Sequence, residues 1–151
     1  MLRTGVVFLS TWSGLNLLLA VASLLAITVF HQNSPGLTLM VEQSEIHELG
    51  PRWLALINGL AALCNTFDAA FFILALCVIW TSLVHKARWA FWGLVISGGF
   101  LQVFAFVSYS FFGTGIVREN VVTLNLLGNL VSSGLLVVGL ALSGYGIYGQ
   151  R

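Results

Sequence analysis

Asp68 is the one Asp, Glu, Lys, Arg or His inside any of the long apolar runs of this chain, near the middle of the run Trp53–Trp80. A charged Asp at the centre of a membrane helix costs about 2.5–3.5 kcal/mol, so intramembrane acids are read first as functional. Hydrocarbon favours the uncharged acid, whereas amide donors favour the carboxylate. Amides are at hand, since every apolar run carries at least one: Asn16 in the first, Asn58 and Asn65 in the second, Gln102 in the third, Asn125 and Asn129 in the fourth. No Lys, Arg or His occurs at that depth to pair with the acid. Two roles fit such a group. It is a proton- or cation-responsive carboxylate in a transport path, or a hydrogen-bonded acid that fixes helix register. Under either, Asp68 is expected within hydrogen-bond reach of Asn65, Asn16 or Gln102, because an isolated carboxyl in hydrocarbon is too costly even when neutral.

The spacing of the polar residues follows the helical period. Asn58, Ala61, Asn65 and Asp68 share one stripe, as do Gly98, Gln102, Ala105 and Tyr109. Asn16 recurs with Ala20 and Ser23. The fourth run carries Asn125, Gly128, Asn129 and Ser132, then Gly139, Ser143 and Gly146 on a similar line. Small residues let membrane helices approach closely, and amides hydrogen-bond across the gap. With the stripes inward, Asn16, Asn65, Asp68 and Gln102 are expected in one layer, and Asn58, Asn125 and Asn129 above it, toward the outside.

Other chemistries find little support. The histidines, His31, His47 and His85, stand at or beyond the ends of the apolar runs, so a haem held between helices has no ligands. His47 with Glu45, Glu48 and His31 has no diagnostic metal spacing, and a solvated acidic loop accounts for it. Cys64 and Cys77 form no Cys-x-x-Cys pair and read as structural thiols. No metal, cofactor or catalytic residue is expected.

The elements that must position these residues are membrane helices. The chain has 151 residues, of which 58% are hydrophobic and 7% charged, against roughly 45–50% and 25% in soluble domains. Mean hydropathy is +0.98. A soluble domain, a disordered chain and a nucleic-acid binder are excluded, the last also by a net charge of only +1. Four runs reach the length of about 20 residues that a hydrocarbon core demands, near Gly5–Phe30, Trp53–Trp80, Trp89–Phe112 and Val121–Tyr148. The first continues past the signal-peptide-like Ala20-Val21-Ala22 and is read as a retained span. The fold expected is an all-α, single-domain, four-helix up-and-down bundle in the membrane.

Arg3, Lys86, Arg88 and Arg151 fall on one side of this bundle and Arg52 and Arg118 on the other, which predicts both termini in the cytoplasm. Residues 31–52 then form an outer loop. Asn33-Ser34-Pro35-Gly36 reads there as a turn, and Ser44 as the N-cap of a short interfacial helix through Leu49. A bacterial inner membrane is the expected location. The leading functional reading is a small polytopic protein acting by contact with another membrane component, as an accessory, assembly or toxin-neutralising partner. Its mark is the Gly128–Gly146 small-residue line facing another chain, a membrane-protein partner or a second copy. The alternative is a proton- or cation-linked small-solute transporter or channel using Asp68. Lipid is a partner under both.

Overall fold

The computed structural model describes residues 1–40, 46, 48–112 and 119–149, less the side chains at 36, 39, 40, 108–112 and 119–126. The described residues form helices and no strand: α1 (Leu2–Thr28), α2 (Pro35–Met40), α3 (Pro51–Val78), α4 (Arg88–Phe112) and α5 (Glu119–Tyr148). Four stretches are long and apolar enough to cross a membrane, Leu2–Thr28, Pro51–Leu83, Arg88–Val107 and Leu127–Tyr148. Helices satisfy every backbone donor and acceptor internally, as hydrocarbon demands. The chain has the make-up of a multi-pass membrane protein.

The helix boundaries have local causes. Gly50 caps α3 and Pro51 takes its first position, where a missing N–H costs nothing. At its other end α3 runs on as a π-helical turn, Ile79–Leu83. There Val84 N donates to Ile79 O and Ala87 N to Ser82 O, both at 3.1 Å. This wider turn keeps Ile79 and Leu83 fully buried, against α1 and α4. Lys86, at φ 61°, then reverses the chain into α4.

The loop after α1 departs from expectation. Ser34 is not part of a turn but the N-cap of α2: its Oγ accepts from Leu37 N at 3.1 Å, and Pro35 opens the helix. Ser and Pro serve turns and helix starts alike, which is why the same residues read as either. Of the helix expected from Ser44 to Leu49, Ser44, Glu45 and His47 lie outside the described residues, while Ile46 and Glu48 are helical.

α1 is the centre of the bundle. It packs along α3 on one side and α5 on the other, while α4 packs on α5 and meets the α3 side at the π-helical turn. α1 and α5 run antiparallel and very close. Gly146 lies on Leu2, Gly5 on Ser143, and Gly139 on Leu9. The hydroxyl of Ser143 is buried without a hydrogen-bond partner among the described residues, so its contribution here is its small size. The core runs from this crossing through Val6, Leu9, Trp12, Phe72, Ile79, Leu83, Leu94 and Leu136. Trp12 is fully buried, edge-on to Phe72 at 5.4 Å between ring centres. The bundle is therefore dense toward the 84–87 connection. Toward the other end α3 and α5 do not pack along each other, and cavities open on either side of α1.

Candidate functional site

The polar residues of the spans separate into three groups. The first is a hydrogen-bond hub on Ser132 of α5. Its Oγ accepts from Trp12 Nε1 at 3.1 Å, from Asn16 Nδ2 at 3.2 Å and from Gln102 Nε2 at 3.1 Å. Asn16 Nδ2 also donates to Trp12 O at 2.8 Å, and Ser133 Oγ donates to Gln102 Oε1 at 2.8 Å. A hydroxyl oxygen has two lone pairs, so three N–H donors oversubscribe it. Asn16, which has a second acceptor, is the donor most easily released. The hub joins α1, α4 and α5 through one atom.

The second group surrounds a cavity of about 1070 Å³ on the α3–α1–α5 side, into which Asn16, Asn65, Asp68, Asn129 and Ser132 all reach. Its walls are apolar, with Leu15, Leu18 and Leu19 of α1 facing Leu127, Val131 and Leu135 of α5. A smaller cavity of about 180 Å³ on the α4 side of α1 shares Asn16, Asn65 and Asp68 and is also lined by Phe72 and Leu101. Asp68 is exposed, and its carboxyl has no hydrogen-bond partner among the described residues. The expectation that Asn65, Asn16 or Gln102 would hold it is corrected here. Asn16 and Gln102 are turned to Ser132, and the open cavity lies between Asp68 and Asn129 of α5. Asn65, three residues along the same helix, lines the cavity beside Asp68 without bonding it.

The third group is Asn58, which leaves the interior and holds the loop. Its Oδ1 accepts from Ser34 N at 2.9 Å and its Nδ2 donates to Asn33 Oδ1 at 3.1 Å. The single layer expected from the stripes is thus divided. Asn16 and Gln102 meet at Ser132, Asn16 also borders the cavity with Asn65, Asp68 and Asn129, and Asn58 serves the connection. The side chain of Asn125 lies outside the described residues, as do Glu45 and His47.

Trp12 and Ser133 join the site without having been singled out from sequence, and Ser132 stood there only as one member of the stripe of the fourth run. Trp12 and Asn16 stand four residues apart on one face, a signal that an indole read only as apolar conceals. Chemically, the cavity offers one carboxyl, amide groups that both donate and accept, and a leucine-rich wall. That set accepts positive charge and gives anions no counter-charge. Comparison with protein-family models, with curated proteins and with solved structures finds no match to this chain.

Proposed function

We propose that this protein binds and passes a cation across the membrane through the cavity at Asp68. The supporting observation is the position of that carboxyl: mid-span, exposed on a cavity and free of hydrogen bonds among the described residues, where a purely register-fixing acid would be tied down. Asn16, Asn65 and Asn129 supply exchangeable oxygen and N–H groups around it. The role is one of binding and movement, with no bond-making step.

Reconstitution tests the reading. Wild-type protein in proteoliposomes is expected to dissipate an imposed proton gradient, and Asp68→Asn to slow this roughly tenfold or more, a barrier higher by about 1.4 kcal/mol. The substitution keeps shape and hydrogen-bonding capacity but removes the charge. Unchanged flux in a folded Asp68→Asn protein removes the carboxyl from the mechanism.

The contact-protein reading loses its main support. Gly139 and Gly146 are spent on α1, and only the Gly128 end of the line stays exposed, with nothing within 4 Å of a Cβ placed there. A polypeptide partner or a second copy copurifying in mild detergent and dependent on the face around Gly128 is what that reading requires.

The proposed setting is a bacterial inner membrane, with an up-and-down bundle, both termini cytoplasmic and the 31–52 loop outside with its interfacial helix. The bias of Lys86 and Arg88 against Arg52 supports this orientation. In a Cys64→Ala/Cys77→Ala background, Glu48→Cys is expected to react with an impermeant maleimide in intact cells, and Lys86→Cys only after permeabilisation. The reverse pattern inverts the orientation.

A further inference from the structure

We propose that the ligand of the larger cavity is a lipophilic organic monocation, of the quaternary ammonium or phosphonium type, that enters sideways from the bilayer. This rests on the cation-binding reading of Asp68 and narrows it.

Size comes first. At about 1070 Å³ the cavity is far larger than a bare ion, and it matches the upper range of roughly 300–1,000 Å³ typical for drug-sized molecules. Wall chemistry comes second. A hydrated inorganic ion would lie against Leu15, Leu18, Leu19, Leu127 and Val131, which offer its water shell nothing. An inorganic divalent ion also needs about six oxygen ligands, and one carboxyl with a few amides does not replace its hydration. Among the described residues no group of three metal-ligating side chains occurs. An organic cation instead covers the leucines with its body and presents its charge to Asp68.

Charge number follows from the single acid. Asp68 balances one positive charge, and a second would be buried without a counter-charge. The point of entry follows from the mouth. Leu18 and Leu19 are 67% and 68% exposed and Leu127 and Val131 56% and 61%. Leu18 and Leu19 stand near the middle of their span, and Leu127 and Val131 lie within the fourth, so the opening faces hydrocarbon, between helices α3 and α5 that do not pack along each other. A lipid headgroup ammonium is ruled out as the source by depth, because it lies about 15 Å from the centre of a core roughly 30 Å thick. A solute already dissolved in the bilayer meets no polar barrier on the way in.

The test is equilibrium dialysis of the protein in phosphatidylcholine nanodiscs with tetraphenylphosphonium, against empty discs, and with tetraphenylborate as the anion of the same size and shape. Wild type and Asp68→Glu are expected to bind tetraphenylphosphonium above empty discs. Asp68→Asn should bind it at least about tenfold more weakly, which corresponds to about 1.4 kcal/mol. Tetraphenylborate should show no excess over empty discs. Leu19→Trp, at an exposed wall position, narrows the cavity with the charge in place and should also weaken binding. Equal affinity in Asp68→Asn and Leu19→Trp, or equal excess of the borate, overturns the proposal. If Asp68→Asn stops cation flux in proteoliposomes while tetraphenylphosphonium never exceeds the empty-disc level, cation passage stands and the lipophilic ligand alone is wrong. Discs that hold a second polypeptide and bind no tetraphenylphosphonium would assign the cavity to a protein helix instead.

Discussion

Gly139→Leu and Gly5→Ala are expected to be among the costliest changes to the bundle, about 3 kcal/mol or more. Inserting atoms into a filled site costs typically about 1–3 kcal/mol, and more when the neighbours cannot yield. Here they cannot. A Cβ on Gly5 would stand 2.6 Å from Ser143 N and 2.8 Å from Gly139 O, and one on Gly139 would stand 3.1 Å from Leu9 N. These are backbone atoms of two helices already in contact, so relief requires α1 and α5 to move apart. Van der Waals packing is the main attraction between helices in lipid, and distance destroys it quickly. The measurement is thermal unfolding in mild detergent. Gly99→Ala is the control, because nothing lies within 4 Å of its Cβ position. It should be neutral or gain up to about 1 kcal/mol from helix propensity. A Gly139→Leu protein as stable as wild type would show that α1 and α5 do not cross here.

The second large effect is expected at the hub. Ser132→Ala takes away a single heavy atom and with it the only oxygen shared by Trp12, Asn16 and Gln102. Asn16 retains its bond to Trp12 O and Gln102 its bond from Ser133, but the Trp12 indole has no other acceptor among the described residues. A stranded buried donor costs about 1–3 kcal/mol. Measured intramembrane hydrogen bonds average only about 0.6 kcal/mol, so a total near 2 kcal/mol is expected. A double-mutant cycle with Trp12→Phe isolates the indole's part, with an expected coupling of about 1 kcal/mol. Strict additivity of the two substitutions would mean that Trp12 and Ser132 do not bond.

Element length was readable from the residues, and partner choice was not. Apolar run length and the Gly50-Pro51 start located the spans to within a few residues, because hydrocarbon thickness dictates helix length directly. Which face meets which helix depends on relief across two surfaces. The Gly139–Ser143–Gly146 line was visible, but its counterpart on α1 is Leu2, Gly5 and Leu9. That is not a small-residue stripe, so nothing in α1 announced the match. The amide stripes failed in another way. Asn58, Asn65 and Asp68 share a face of α3, yet Asn58 bonds the Asn33–Ser34 corner while Asn65 and Asp68 border open space. Periodicity assigns a face and says nothing about depth along it. Ser132 was one member of a line, and only three-dimensional convergence makes it the atom on which three donors meet.

Trp12 and Ser132 are separated by 120 residues, and that distance has a meaning in time. A membrane chain inserts helix by helix in order of synthesis, and the helices associate afterwards. α1 can meet α3 early, since Phe72 already offers Trp12 its ring contact. The indole N–H has Ser132 as its acceptor only once α5 has been made. The nascent protein therefore passes through a state in which its polar seam is open to lipid and to any other helix carrying a hydroxyl. Arrival of the last helix ends that state, so α5 acts as the clasp that turns a loose set of inserted segments into a single molecule.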